Sequence, residues 1–480
     1  MIYCKKAGII LSILLVWSSL LWGQQISGTN TNYEEGDWIS YTKCRNIHSL
    51  QISPDIVYAA TEGGILRYDL IARKWIFPFT VSNGLPENMV LAVAFNVATN
   101  LLWCSTPSAV AVYDRSSRIW QNSYLGELGL APNDPILSIG FSDQNVWLES
   151  QSGRVYSSPL QMMFFMETRS NNDESIVWYG RRGFVPSELQ HYYLSGSLMF
   201  IADGSNYFVQ DRDLRSFRFN YYASDPWQKL WLGSSGLGMF RADRRTGDMV
   251  HLPYGLLSSD VRAIFKKGPE IWLGGIQQGD ELDGITLWQR NRDRWTHFEP
   301  RLISRFRGSN VFAITSTDQS IWFGTDDGLV RYRRQNDRWR SYTTFDNLLD
   351  NRVYSLAAGK SALWVGSHDG LDRISEIRER ADSVVVTHVT DWRDQVAVYD
   401  IFLDGPITWA ATNYGLFFYD LRNADSGYHR GVDGPGSGEV TAVARSGDSL
   451  WVSSTSTVYV YDLKDNIWRG PPGNKSFGGS

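Results

Sequence analysis

The stretches IWFGTDDGLVRY from Ile321 and LWVGSHDGLDRI from Leu363 decide the fold of this chain. Each contains an apolar residue, a Trp, a turn rich in small residues, and a second segment in which apolar and polar residues alternate. This alternation has the period of a β-strand and argues against a helix. The same pattern returns along the whole chain. Its aromatic residues are Tyr58, Trp103, Trp147, Phe200, Trp231, Trp272, Trp322, Trp364, Trp409 and Trp451.

The spacing of these aromatic residues indicates how the strands are grouped. Tyr58 and Trp103 are 45 residues apart, and Trp409 and Trp451 are 42 apart. A period of this length is typical of β-propellers, in which each blade is a four-stranded sheet. With about ten repeat cores, we expect an all-β propeller of eight to ten blades. The copy around Phe200 is weak, and residues 157–190 are the best candidate for a distorted blade.

Two further signals recur at fixed distances from the aromatic residue. A β-branched residue lies eleven positions earlier and is expected to begin the innermost strand of its blade, at Ile47, Ile136, Val261, Val311, Val353, Val398 and Val440. An aromatic residue of the outermost strand follows about seventeen positions later, at Trp75, Trp120, Phe217, Trp339 and Trp468, with Trp295 in the same role after a longer hairpin. We expect the Trp and β-branched residues to pack between blades, and Gly64, Gly328 and Gly370 to provide the positive φ of tight hairpins.

The amino-terminal residues predict export. Lys5 and Lys6 precede an apolar run at residues 7–22, which is short for a membrane span, so residues 1–25 read as a signal peptide. An uncleaved anchor is the alternative, because Leu21 stands where a cleavage site prefers a small residue. We expect a linker at 26–37, the propeller at 38–470 and a flexible tail at 471–480. The protein is then periplasmic, outer-membrane-associated or extracellular, and its mature chain has no membrane span.

Composition narrows the possible partners. The formal net charge is −5 and the arginines are spread along the chain, which disfavours a nucleic-acid partner. Only Cys44 and Cys104 remain after the leader, either as two buried thiols or as a disulfide in an oxidising compartment.

The sequence contains no recognisable catalytic pattern. The seven histidines fall in different repeats without metal-ligand spacing, and there is no nucleophile elbow or phosphate loop. We therefore expect no enzyme activity, no cofactor and no metal. Asp280, Glu281 and Asp283 in one expanded hairpin form either a solvated loop tip or a site for a cation such as Ca²⁺.

A set of polar residues just before the innermost strands is the predicted ligand site. Since these loops open on one face of a propeller, their side chains could surround the channel mouth and bind a sugar or a peptide. The alternative is that the side chains close their own loops. The set is Asn88, Asp260, Asn310, Asn351 and Glu439.

Three segments resemble the two-component regulator propeller repeat. They are NGLPENMVLAVAF from Asn83, YGLLSSDVRAIF from Tyr254 and NLLDNRVYSLAAG from Asn347, each followed by a Trp segment. The resemblance implies a periplasmic sensor propeller that recognises glycan fragments. This chain departs from the family because no transmembrane helix, kinase or DNA-binding segment follows the repeats, so we expect no signal transduction within it. The opening, from GDWISYTK at Gly36 through two blades, is more loosely similar to the propeller subunit of type IX secretion.

These features favour a non-catalytic binding module for a glycan fragment or an envelope protein. The alternative is a structural component of a cell-envelope or secretion assembly. An exposed apolar patch at Met162, Met163, Phe164 and Phe165 would favour that alternative. A third reading, an enzyme such as a propeller lyase, requires carboxylates or histidines that converge at the channel mouth.

Overall fold

A computed structural model of the protein describes residues 39–160, 162–168, 175–181, 189, 192–194, 196, 198–203, 206–277, 283–360, 362–378, 383–390, 395–429 and 438–469. The predicted signal peptide, linker and tail lie outside these residues, as do Asp280 and Glu281. The chain divides into two compact units, Met1–Leu256 and Leu257–Ser480. Where it is described, the chain forms β-strands and short 3₁₀ turns.

Unit 1 contains four sheets, A to D. Sheet A is β1 (Ile47–Ile52), β2 (Ile56–Thr61), β3 (Gly64–Asp69) and β4 (Lys74–Phe79), and sheet B is β5 (Ala92–Asn96), β6 (Leu101–Ser105), β7 (Ala109–Asp114) and β8 (Ile119–Tyr124). Sheet C is β9 (Ile136–Phe141), β10 (Asn145–Ser150), β11 (Val155–Pro159), β12 (Met166–Glu167) and β13 (Val177–Gly180). Sheet D is β14 (Tyr193–Leu194), β15 (Met199–Asp203), β16 (Asn206–Gln210), β17 (Ser216–Ser224), β18 (Lys229–Ser234), β19 (Met239–Asp243) and β20 (Asp248–Leu252).

Unit 2 contains five four-stranded sheets, E to I. Sheet E is β21 (Val261–Lys267), β22 (Glu270–Gly275), β23 (Ile285–Gln289) and β24 (Arg294–Phe298), and sheet F is β25 (Val311–Ser316), β26 (Ser320–Thr325), β27 (Gly328–Arg333) and β28 (Arg338–Tyr342). Sheet G is β29 (Val353–Ala358), β30 (Leu363–Ser367), β31 (Leu371–Arg378) and β32 (Ser383–His388), and sheet H is β33 (Val398–Asp404), β34 (Ile407–Thr412), β35 (Gly415–Asp420) and β36 (Asp425–His429). Sheet I is β37 (Val440–Ser446), β38 (Ser449–Ser454), β39 (Val458–Asp462) and β40 (Ile467–Arg469), and 3₁₀ turns lie at Val81–Asn83, Pro300–Leu302, Arg334–Asn336 and Thr344–Asp346.

The predicted fold class, an all-β propeller of four-stranded blades, is confirmed. Seven of the nine described sheets are antiparallel meanders of four strands. Each β-branched residue of the sequence signal is the first residue of an innermost strand. The predicted outer-strand residues Trp75, Trp120, Trp295, Trp339 and Trp468 lie in the last strand of their sheets. The prediction for Phe217 is wrong, because Phe217 lies in β17, which pairs with β16 on one side and β18 on the other. The hairpin glycines also have positive φ, for example 123° at Gly328 and 150° at Gly370.

Contacts between sheets explain why a glycine follows the Trp by two positions in several repeats. A Cβ built on Gly274 would lie 2.4 Å from Cγ1 of Val311, and one on Gly366 would lie 2.6 Å from Cγ1 of Val398. In both cases the partner is the first residue of the next innermost strand. The glycine therefore leaves the space that the β-branched residue of the next sheet fills.

The Trp residues of the repeats pack between blades, as predicted. Trp272 lies in one apolar cluster with Val311 and Phe323 of the next sheet, and Trp364 does the same with Val398. Each of these indoles is at most 2% exposed. They therefore belong to the core and offer no surface to a ligand.

Sheets C and D hold the irregularities expected around residues 157–190 and Phe200. The outer strand β12 is only two residues long, and β13 runs back to pair with β9. The weak copy at Phe200 forms the hairpin β15–β16, and the long strand β17 pairs with β16 through its first half and with β18 through its second. The weak copy is thus merged into the following blade.

The described part of the chain settles two smaller points. Cys44 and Cys104 are both free and buried, so they do not form the disulfide that the sequence left open. Burial raises the pKa of Cys44 to about 12 and raises that of Cys104 as well. Within the described residues, no helix is long and apolar enough to cross a membrane.

Candidate ligand-binding face

One end of each sheet carries the residues predicted to bind a ligand. Because successive strands are antiparallel, the loop that leads into the innermost strand and the hairpin between the second and third strands lie at the same end. We call this end the upper face of a unit. Asn88 lies on the upper face of unit 1, and Asp260, Asn310, Asn351 and Glu439 lie on that of unit 2.

The three asparagines make hydrogen bonds to their own loops or to neighbouring hairpins. The Oδ1 atom of Asn88 accepts from the backbone N–H of Val81 at 2.9 Å. Asn351 accepts from Thr344 N at 2.9 Å and donates to the carboxylate of Asp327 at 3.2 Å. These contacts are those of loop-closing residues, the alternative that the sequence left open. Whether the same amides also bind a ligand stays a prediction.

Asn310 joins two hairpins of the upper face. Its Oδ1 atom accepts from Gln277 N at 2.8 Å, and its Nδ2 donates to Asp326 at 2.9 Å. The same carboxylate accepts from the backbone N–H groups of Ser309 and Asn310. Asn310 therefore holds the loop before β25 against sheet E and against its own hairpin.

The two acidic residues of the predicted set pair with residues of the innermost strands. Asp260 forms an ion pair with Arg262, with 2.8 Å between Nε and Oδ1. Glu439 accepts a hydrogen bond from the hydroxyl of Tyr399, whose pKa is raised to about 12 by burial and by this carboxylate. Both acids are partly buried.

A feature that sequence reasoning missed is a bulge at the same place in all five innermost strands of unit 2. In each strand the pairing register shifts between the first residue and the third. A β-bulge re-aims the side chain of the extra residue and is frequent next to binding sites. The bulged residues are Arg262, Phe312, Tyr354, Tyr399 and Thr441.

Three of these bulged residues form a row of aromatic rings across sheets F, G and H. The ring centroids of Phe312 and Tyr354 are 5.6 Å apart, and those of Tyr354 and Tyr399 are 6.1 Å apart. All three side chains are partly buried, so each keeps part of its surface open. We call Phe312, Tyr354 and Tyr399 the aromatic row. In the sequence, each residue of the row directly follows the β-branched residue that begins its innermost strand.

Polar groups surround the aromatic row. The hydroxyl of Tyr354 lies 3.4 Å from Nδ1 of His368, which stands in the hairpin of sheet G. Glu439 adjoins Tyr399 at one end of the row. This combination of ring faces with neighbouring donors and acceptors is suited to binding an extended ligand by stacking and hydrogen bonding.

In unit 1 an additional strand of the chain lies along the innermost strand of sheet C. The strand β13 pairs with β9 from Val177 to Gly180 and also contacts β1 and β5. Tyr179 of β13 hydrogen bonds with Gln51 of β1, and Arg181 N donates to Leu137 O at 2.9 Å. The strand β13 therefore covers the edge of β9 and reaches the second half of β1, whereas the innermost strands of unit 2 are edge strands of their sheets in the described part of the chain.

Two other candidate sites follow from the sequence, namely a cation site in the expanded hairpin that contains Asp283 and an apolar patch at residues 162–165. Asp283 lines a small cavity of about 160 Å³ in unit 2 together with Arg301 and Phe306. Among the residues that the structure describes, no three His, Cys, Asp or Glu side chains are grouped so as to hold a metal ion. Asp280 and Glu281 lie outside those residues, so the cation site stays untested.

Sheet C carries an exposed apolar stripe. Met162, Phe164 and Met166 alternate along its outer segment and are 60%, 64% and 66% exposed. Phe165 points the other way, into the core of unit 1, and Met163 packs partly against that core. Of the apolar patch considered in the sequence, Met162 and Phe164 are thus surface residues.

Comparison with known proteins gives structural likenesses only. No protein family matches the chain, and no curated protein matches it. The extracellular domain of a hybrid two-component system from B. thetaiotaomicron aligns over 90% of this chain and 72% of its own length, with 14% identity and a TM-score of 0.38. The extracellular domain of a one-component system from the same bacterium aligns over 91% of this chain and 72% of its own length, with 13% identity and a TM-score of 0.37.

PorZ, an essential surface component of the type IX secretion system of Porphyromonas gingivalis, aligns over 87% of this chain and 74% of its own length. Its identity is 12% and its TM-score is 0.22. The sensor domains and PorZ are of the two kinds that the sequence motifs resemble. Because the TM-scores are low, the function has to be argued from residues of this chain.

Proposed function

We propose that this protein is an exported, non-catalytic propeller that binds an extended glycan or peptide on the upper face of unit 2. The observation that carries the proposal is the aromatic row. Phe312, Tyr354 and Tyr399 lie on three neighbouring innermost strands, at spacings of 5.6 and 6.1 Å. Such strands are rigid, so little conformational entropy is lost when a ligand stacks on the rings.

Four of the predicted site residues fit this role as supports of the row. Asn310 and Asn351 fix the loops beside it, while Glu439 hydrogen bonds to Tyr399 and Asp260 pairs with Arg262. We expect Glu439 and Arg262 to provide polar contacts at the two ends of a bound ligand. Asn88 lies in unit 1, and it is left out of the proposed site, which is confined to unit 2.

The proposal is tested by screening the full chain against a glycan array and a peptide library, with thermal shift as the second readout. Tyr354→Ala should weaken the binding of a ligand found in this way about fivefold, because one stacked ring contributes about 1 kcal/mol. Tyr399→Phe keeps the ring and should lose only the hydrogen bond to Glu439. Tyr124→Ala removes an exposed tyrosine from an outer strand of unit 1 and is the matched control. A ligand that binds all four proteins equally would refute the site.

A second candidate function is a structural role in a cell-envelope assembly, and the exposed stripe at Met162, Phe164 and Met166 favours it. Large apolar side chains that alternate on one side of an edge segment are typical of protein interfaces. Replacing all three by Ser should then release the protein from its envelope fraction without lowering its melting temperature. Unchanged fractionation would speak against this role.

A further inference from the structure

A cavity of about 490 Å³ lies in unit 1, at the end opposite the upper face. Its lining comes from the hairpin between β5 and β6, the hairpin between β9 and β10, and the beginning of β13. Ligand sites in proteins typically have volumes of about 300–1,000 Å³. The cavity shares no residue with the aromatic row.

The lining combines buried aromatic rings with exposed aliphatic side chains. Phe95 and Phe141 are 3% and 8% exposed, and the ring centroids of Phe141 and Tyr179 are 6.1 Å apart. Val97, in the turn after β5, and Val177, at the start of β13, are 68% and 54% exposed. Such a lining suits a ligand with an aliphatic portion, for example the alkyl stem of a long side chain.

Asn96 brings a buried hydrogen-bond donor to the cavity. Its side chain is 8% exposed, and its Oδ1 accepts from Thr99 N at 3.1 Å. Among the residues that the structure describes, the Nδ2 of Asn96 has no hydrogen-bond partner. Because a buried N–H without an acceptor costs free energy, this group favours a ligand that places a carbonyl or hydroxyl oxygen beside it.

Asp143 is the one charged side chain among the described residues of the lining. It lies in the hairpin between β9 and β10, it is exposed, and it forms no ion pair with another described residue. Arg115, whose guanidinium lies 5.4 Å from the ring centroid of Phe95, is already bound to both carboxylate oxygens of Asp55, at 2.9 and 2.5 Å. The cavity therefore offers a carboxylate that is complementary to a positively charged group.

We infer that this cavity binds a lysine or arginine side chain of a partner protein. Asp143 pairs with the cation, and Val97 and Val177 flank its alkyl stem. Because Asn96 stands on a different hairpin from Asp143, a ligand that uses both must carry an acceptor apart from its cation, as a protein segment does through its backbone carbonyls. A neutral saccharide leaves the carboxylate without an opposite charge, and an anionic ligand is repelled by it. The inference does not rest on the proposed ligand site of unit 2.

The test uses the full chain and a library of N-acetylated pentapeptides with Lys or Arg at the central position. Matched libraries carry at that position either Glu or norleucine, which keeps the alkyl stem without the charge. We expect hits from the Lys and Arg libraries. Calorimetric titration of a hit should show an affinity about threefold to fivefold higher than that of its norleucine counterpart, as for an exposed ion pair. This difference should shrink as salt is added.

Asp143→Asn removes the charge and keeps the shape of the side chain, so it should weaken a Lys peptide by the same factor. Asp318→Asn is the matched control, because Asp318 lies exposed in the hairpin between β25 and β26. The two hairpins are built alike. In both, the Trp of the following strand donates its indole N–H at 3.1 Å to the residue before the aspartate. Both variants should keep the melting temperature of the wild type.

Any of four results would overturn the inference. They are no preference for Lys or Arg over norleucine, an affinity of Asp143→Asn no lower than that of Asp318→Asn, binding of n-butylamine as tight as that of the Lys peptide, and slower hydrogen exchange in β29 instead of β5 and β9 when the Lys peptide is bound. The Tyr354→Ala variant separates the two proposals, since it should bind the Lys peptide unchanged while it binds a ligand of the aromatic row more weakly.

Discussion

Both polar atoms of the Asn351 side chain are hydrogen bonded within the protein. Its Oδ1 accepts from Thr344 N, and its Nδ2 donates to the carboxylate of Asp327. If these bonds close the loop, Asn351→Ala should lower the free energy of unfolding of unit 2 by about 1–2 kcal/mol, because each lost bond contributes about 0.5–1.5 kcal/mol. The measurement is hydrogen exchange of the amides in β28 and β29 without any ligand. Asn88→Ala is the matched variant in unit 1. Unchanged protection in both variants would mean that these amides are kept for a ligand instead.

His251 on β20 provides a test by pH. Its ring stacks on Phe240 at 4.7 Å, Nε2 lies 2.7 Å from Leu237 O, and burial lowers its pKa from 6.5 to about 4. Because the folded pKa is depressed, the neutral ring stabilises unit 1 above pH 6.5, and this contribution is lost as the pH falls through about 4. The full effect is up to about 3 kcal/mol.

The check for His251 is the protection factor of β19 and β20 amides between pH 7 and pH 4. Wild-type protection should fall across this window, and His251→Phe, which keeps the stacking, should flatten the profile. An equally steep profile in the variant would show that other groups are responsible.

Between elements, the glycine that follows Trp by two positions decides how closely neighbouring sheets approach. Gly274→Ala places a methyl group against Val311, so we expect a loss of about 1–3 kcal/mol from overpacking. Gly438→Ala is the control, because a Cβ there meets nothing within 4 Å. Urea unfolding followed by Trp fluorescence measures both. Equal stability of the two variants would contradict the packing account.

The strands whose signals repeat could be predicted from the sequence. The strands that interrupt the repeat could not. Val353 and Trp364 fall at fixed offsets, so β29 and β30 could be placed in advance. The strand β13 could not, because its pairing with β9 depends on space beside Gly140, where a Cβ would meet Trp178 at 2.9 Å. The aromatic row was missed for a related reason. A bulge changes which side chains share a face, and strict alternation does not show it.

At the scale of the whole molecule, the two units differ in whether another strand of the chain lies along an innermost strand. In unit 1, β13 lies against β1, β5 and β9, and its Tyr179 bonds to Gln51. In unit 2, the bulged residues of five consecutive sheets include three adjacent rings with polar neighbours. A repeat fold therefore need not use every blade for the same purpose. We propose that binding of an extended ligand by an aromatic row is confined to unit 2.

Hydrogen–deuterium exchange of the full chain, with and without a glycan or peptide from the screen, tests this claim most directly. If the ligand binds at the aromatic row, exchange should become slower in β29 and β33 and in the loop at residues 343–352, with no change in β1, β5 or β9. Protection confined to unit 1, or to the outer strands of unit 2, would contradict it.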